Sequence, residues 1–197
     1  MAARFTRADL DAFAGTEVPD LLPVGGIKLL FVGINPGLWT AAVQTHFAHP
    51  GNRFYPALYA GAIIEEPIDP AAGMTDAQRT MMTSRGIAIT NLVRRATARA
   101  DELSPSELTE GGLRLRRLVA ERAPRVVAVA GITAYRTAFG DRSARVGRQP
   151  VDWGSSQVWV VPNPSGLNAH ETVVTLAAAY RAAAVAARVV GEPTPAV

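Results

Sequence analysis

The stretch Ile27-Lys28-Leu29-Leu30-Phe31-Val32-Gly33-Ile34-Asn35-Pro36-Gly37 runs from an apolar segment straight into a polar loop. Ile27–Val32 shows no clean alternation of apolar and polar residues, which suits a strand covered on both faces. Three later runs share this character: Ile87–Ile89, Val126–Ala130 and Val158–Val161. Helical stretches separate them, at residues 53–61, Ser106–Arg122, 133–139 and 171–190. In Ser106–Arg122 the residues Leu108, Leu113, Leu115, Leu118 and Val119 form a broad apolar side. Strands alternating with helices predict an α/β fold: a three-layer sandwich with a central, mostly parallel sheet of four to five strands and helices on both faces. Ligands of such sheets bind beyond the carboxyl ends of the strands. The loops that follow the first, second and fourth runs are therefore the places to look for chemistry.

The 197 residues suit one domain and show no internal repeat. Residues 1–26, with Pro19, Pro23, Gly25 and Gly26, read as an N-terminal arm. Residues 27–190 read as the single domain, and 191–197, with Pro193 and Pro195, as a flexible tail. The chain has no cysteine, which excludes disulfides, Cys-ligated zinc and iron–sulfur clusters. No apolar run approaches the roughly 18 residues of a membrane-spanning helix. Charges in Met1–Leu10 stand where a signal peptide has its apolar core, so a soluble, cytoplasmic protein is expected. There are 20 Lys+Arg against 17 Asp+Glu, and Lys28 is the only lysine. A net charge of +3 permits nucleic-acid binding without demanding it.

In the first loop, Gly33 and Gly37 allow close backbone approach, and Pro36 fixes one torsion. Asn35 does not titrate, so it is no general base; its amide can accept from a water and donate to a ligand. Spacing alone favours a plain Asx turn at the strand exit. Neither a Gly-Lys-Ser/Thr ending nor a Gly-x-Gly-x-x-Gly pattern is present, which argues against a phosphate loop. Downstream, Thr45–Phe54 combines aromatics with His46, His49 and Arg53, a set suited to a planar ligand stacked beside a phosphate. The two histidines lack a third ligand or a carboxylate nearby, so no metal site is expected.

The last strand run ends in Pro162-Asn163-Pro164-Ser165-Gly166-Leu167, followed by Asn168-Ala169-His170. A leucine at the tip of a polar loop either tucks into the local core or serves as a wedge that enters a base stack.

Taken together, Gly33-Ile34-Asn35-Pro36-Gly37-Leu38, Phe47-Ala48-His49-Pro50-Gly51-Asn52-Arg53-Phe54, Thr90-Asn91-Leu92-Val93 and Pro162–Leu167 resemble the mismatch-specific uracil-DNA glycosylases, the Mug and thymine-DNA glycosylase family. The likeness runs from about Lys28 to about Arg188. It implies that the enzyme flips a uracil out of mismatched double-stranded DNA and hydrolyses its N-glycosidic bond, with no metal or organic cofactor. By this resemblance, Asn35 places the attacking water, and Asn163 helps to stabilise the departing base. Gly33, Ile34, Phe47, Asn91 and Thr40 surround the flipped base, with Phe47 stacking on it and backbone N–H groups near Ile34 and Phe47 as donors. Ser165, Gly166, Leu167, His170 and Arg53 face the DNA, with Gly166 and Leu167 as the wedge. Arg94, Arg95 and Arg99 extend a phosphate footprint.

Two departures stand out: Trp39 where relatives often have a small residue, and no Arg shortly after Leu167. A uracil-DNA glycosylase preferring G·U mismatches in base-excision repair, acting as a monomer, is the leading expectation. The competing readings are a uracil-DNA glycosylase without mismatch preference, a hydrolase of free nucleosides, and a non-catalytic module that binds damaged DNA.

Overall fold

The computed structural model describes residues 5–191. Of the expected tail, only Gly191 falls within them. Strand β1 (Leu29–Gly33) is buried along its whole length. Its side chains alternate between two cores: Leu29 and Phe31 face one layer of helices, Leu30 and Val32 the other. This double cover explains the continuous apolar run, since each face of the strand has helices to bury against.

Strand β1 lies between β2 (Ile87–Asn91) and β3 (Val126–Ala130), pairing with both in parallel. Beyond β3 comes β5 (Ser156–Val161), also parallel, and then β4 (Gly147–Trp153), antiparallel at the edge. The order is β2-β1-β3-β5-β4, a five-stranded, mostly parallel sheet as expected. Helices α3 (Phe54–Ala60) and α7 (Val173–Ala186) cover the face of Phe31 through Phe54, Leu58, Leu176 and Tyr180. Helices α5 (Pro105–Arg122) and α6 (Ile132–Phe139) cover the opposite face through Leu115, Val119, Ala134 and Tyr135. The Ser104 side chain accepts from the Glu107 N–H, and Glu107 reaches back, a capping box that starts α5 at Pro105.

Four elements have no clear signature in the sequence. Strand β4, Gly147-Arg-Gln-Pro-Val-Asp-Trp, is an edge strand carrying charges, a proline and an irregular register between Arg148 and Asp152. Such features shield a sheet edge and erase the apolar pattern of a central strand. Helices α1 (Arg7–Asp11), α2 (Leu38–Val43) and α4 (Asp76–Ser84) are short and bury little: none of α1, only Met82 of α4, and Leu38, Thr40 and Ala41 of α2. The arm is also laid down on the domain. Leu21 exchanges two backbone hydrogen bonds with Ile89, at 2.9 and 2.8 Å, and so covers the free edge of β2.

Neighbours of β1 are reached from opposite sides of the sheet, the arrangement in which a ligand crevice is expected beyond the carboxyl ends of β1 and β3. A Cβ on Gly131, the residue leaving β3, would lie 3.5 Å from Ile34 Cδ1 and 3.8 Å from Asn163 Cβ. The loops after β1 and β5 therefore meet over Gly131.

Candidate active site

Three asparagines stand at strand ends around this crevice, and each has one end of its amide occupied. Asn35 Nδ2 donates to Thr97 Oγ1 at 2.7 Å and lies 3.2 Å from the Arg95 carbonyl and 3.1 Å from that of Pro36. Thr97 gives its single hydroxyl proton to the Arg99 carbonyl at 2.7 Å. Its oxygen must then accept from Asn35, and the two carbonyls can only accept. The nitrogen end is thus fixed on the protein, and Asn35 Oδ1 remains as an acceptor. Backbone bonds from Leu92, Val93 and Thr97 to Gly33, Ile34 and Pro36, all 2.9–3.1 Å, stitch this loop to the segment after β2.

Asn163 is oriented the opposite way. Its Oδ1 accepts from the Ser165 backbone N–H at 3.1 Å, which leaves Nδ2 as a donor. An amide nitrogen at this position can donate to an oxygen that gains negative charge.

Asn91, the last residue of β2, is 5% exposed. Its Nδ2 lies 3.1 Å from His46 Nδ1. A Cβ on Gly33 would collide with Asn91 Oδ1 and come within 3.1 Å of the Phe47 ring. Gly33, Asn91 and Phe47 therefore form one surface that any other residue at position 33 would fill. The Phe47 ring stacks on Phe54 with centroids 4.1 Å apart. Its backbone φ of +56° is unusual for an aromatic residue and is held by the surrounding loop. Among the described residues, neither the Ile34 nor the Phe47 N–H finds a protein acceptor. Thr40 is buried, with its hydroxyl accepting from the Ala48 N–H at 3.2 Å, so it braces the turn behind Phe47.

The loop after β5 presents its tip to solvent. Leu167 is 91% exposed, so it does not tuck into the local core. Gly166 passes so close to the neighbouring loop that a Cβ would lie 2.6 Å from the Gly51 carbonyl oxygen. Ser165 is half-buried, with Oγ accepting from the Leu167 N–H at 3.3 Å, and His170 is exposed.

Arg53 corrects an expectation. Its guanidinium does not stand free for a phosphate: it donates to the carbonyls of Ser165 at 2.6 Å, Asn168 at 2.8 Å and Glu171. Its backbone N–H donates to Pro164 at 3.0 Å. Arg53 thus clamps the loop that carries Leu167. The expected phosphate footprint is also offset by local acids, because Arg95 pairs with Glu107, Arg99 with Asp101, and Arg94 with Glu17 and Asp20. Trp39 donates to the Ala71 carbonyl at 3.0 Å and packs edge-on to Phe5 and His49.

Sequence reasoning missed three contributors. Thr97 orients Asn35 from 62 residues away. His46, which the sequence offers as part of a ligand-stacking set and as a poor metal ligand, joins Asn91 to the Pro19 carbonyl. Arg114 of α5 donates to the Asn91 and Leu92 carbonyls and holds the end of β2. None has a local signal, since each acts on a partner distant in the chain.

The crevice is thus a set of preset amide donors and acceptors beside an aromatic ring, under an exposed apolar tip. Residues 19–187, which hold all five strands, match the family model of the uracil DNA glycosylase superfamily, and the chain belongs to that superfamily. Membership carries the class activity, a hydrolase of the DNA glycosylase type acting on DNA. No helix among the described residues is long and apolar enough to cross a membrane.

Proposed function

We propose that the protein is a monofunctional uracil-DNA glycosylase of the mismatch-specific Mug and thymine-DNA glycosylase branch, acting on G·U pairs as a cytoplasmic monomer in base-excision repair. The observation that carries this reading is the opposed orientation of Asn35 and Asn163 at one crevice. The C1′–N1 bond breaks with its electron pair leaving on uracil, and the sugar becomes an oxocarbenium-like cation. Asn163 Nδ2 and the N–H groups of Ile34 and Phe47 are the donors for the uracil anion. Asn35 Oδ1 holds a water by one of its hydrogens, so that the water oxygen attacks C1′. The water's proton passes to solvent or to the departing base, because an amide cannot take it.

The only lysine, Lys28, precedes β1 and so lies at the amino end of the sheet, opposite the crevice. A Schiff-base lyase step therefore has no lysine to use. Leu167 fills the gap left by the flipped nucleotide, and a mismatched base costs less to extrude than a paired one.

The test is base release from labelled G·U, A·U and G·T duplexes and from single-stranded uracil DNA, with alkali revealing abasic sites. Release from G·U well above A·U supports the full reading. Equal release from every uracil context retains the glycosylase and removes the mismatch preference. Tight binding without release favours a damage-binding module, and activity on free deoxyuridine favours a nucleoside hydrolase.

A further inference from the structure

His46 is 4% exposed, and both ring nitrogens are engaged. Nε2 lies 3.0 Å from the Pro19 carbonyl, which can only accept, so Nε2 carries a proton. In the neutral ring Nδ1 is then a bare acceptor. Its partner at 3.1 Å must be the amide nitrogen of Asn91. This settles which end of Asn91 is turned away from the crevice: Oδ1 lies toward Gly33 and Phe47. A flipped amide would set Oδ1 against the Nδ1 lone pair.

We propose that His46 is a specificity-determining positioning residue: its Nε2–H tautomer locks Asn91 with an acceptor toward the base, so that the site admits a base with a ring N–H on its pairing edge and refuses one with a lone pair there. The inference rests on the reading of Asn91 as a contact to the flipped base. Uracil presents N3–H to such an acceptor; cytosine presents the N3 lone pair. A site committed to one hydrogen-bond polarity leaves the wrong base with two acceptors facing each other. No group in contact with the sugar is needed for this choice.

The lock depends on a neutral ring. Burial holds the His46 imidazole below its ordinary value, against the Pro19 carbonyl and Asp20, which favour the proton, while Arg79 disfavours it. Tyr55 of α3 adds only a neutral hydroxyl, bonded to the His46 carbonyl at 3.0 Å. A second proton on the ring turns Nδ1 into a donor. Asn91 then rotates, offers Nδ2 to the crevice, and the preference for an N–H weakens.

Binding is measured to duplexes carrying 2′-fluoroarabino-deoxyuridine or its cytidine counterpart, each opposite an abasic analogue. The fluorine keeps the glycosidic bond intact, and neither base is paired. The unmodified protein is expected to prefer uracil by roughly 100-fold at pH 8, as for one mispaired buried polar contact. The preference falls as the pH is lowered below the ordinary imidazole range. His46→Phe keeps a buried ring but removes both nitrogens; it brings the ratio to within a few-fold and makes it independent of pH. An unchanged ratio in His46→Phe overturns the proposal, because a purely structural histidine moves both affinities together. If that variant fails to fold, ¹⁵N imidazole shifts of the unmodified protein decide: an Nε2–H neutral ring at pH 8 supports the lock, and an Nδ1–H ring or an imidazolium overturns it. Failure of the unmodified protein to release uracil at all would instead count against the glycosylase reading, which the imidazole shifts do not touch.

Discussion

Asn35 and Thr97 are 62 residues apart in the chain and 2.7 Å apart in the fold, and the direction of the bond between them is fixed by the Thr97 proton going to Arg99. Without the hydroxyl, the Asn35 amide keeps only its carbonyl partners and gains freedom to turn. Thr97→Val is expected to slow single-turnover base release about tenfold, the scale of one neutral hydrogen bond. DNA affinity should not change, and Thr97→Ser should restore the rate. A normal rate in Thr97→Val would show that Arg95 and Pro36 suffice to orient the amide.

Removing the amide itself goes further. On the proposed mechanism Asn35→Ala deletes the acceptor for the attacking water, and base release should drop on the order of 10² or more, as for other preorganised polar groups. Binding to uracil DNA should survive, because the role proposed for Asn35 is toward the water and not the base. Rapid-quench measurement under single-turnover conditions separates this from slow product release.

Much of this arrangement is legible in the sequence. The apolar runs ending at Val32, Ile89, Ala130 and Val161 mark the buried strands, because double cover demands continuous apolar character. Edge strand β4 is not, since one exposed side and protective charges leave no such run. In the site, the asparagines at 35, 91 and 163 are visible as types and positions. Which end of each amide is free depends on Thr97, His46 and Ser165, and for Thr97 and His46 the pairing exists only once the chain has folded. Arg53 is hidden for the same reason: its charge suggests phosphate, while its three acceptors lie more than a hundred residues downstream.

That clamp gives a third expectation. Arg53→Met removes charge-assisted bonds to the loop carrying Leu167 and leaves its carbonyls exposed to rearrangement. Stability should fall by about 2–3 kcal/mol, read from chemical denaturation, on the scale of hydrogen bonds to a charged group. The dependence of DNA affinity on salt should keep its slope. A phosphate contact would instead lower the slope by about one unit in the variant.

The buried imidazole of His46 makes stability depend on pH. Its pKa is lowered in the folded protein from 6.5, mainly by burial, so the unfolded chain takes up the proton first. The unfolded state binds more protons between the folded and unfolded values, and stability rises with pH there. The contribution is complete above about pH 6.5 and is lost as pH falls toward the folded value. Thermal unfolding followed from pH 8 down to pH 5 should show a loss that is absent in His46→Phe. Parallel curves for the two proteins would remove His46 as its source.

Leu167 offers the sharpest separation of stability from function. At 91% exposure its side chain buries almost nothing within the protein, so the folded state gains little from it. Leu167→Ala should leave stability within about 0.5 kcal/mol. Its effect should fall on flipping, because a methyl group cannot fill the space a nucleotide vacates. Fluorescence of 2-aminopurine placed beside the uracil reports unstacking directly, and the flipped population should drop about tenfold, the scale of losing a buried leucine's contact with a base stack. Gly166→Ala acts through position instead: its Cβ would lie 2.6 Å from the Gly51 carbonyl oxygen, so the loop must shift away from Arg53's clamp. That variant should lose both stability and flipping together. Equal behaviour of the two variants would mean that the loop works as a rigid unit and not through the leucine at its tip.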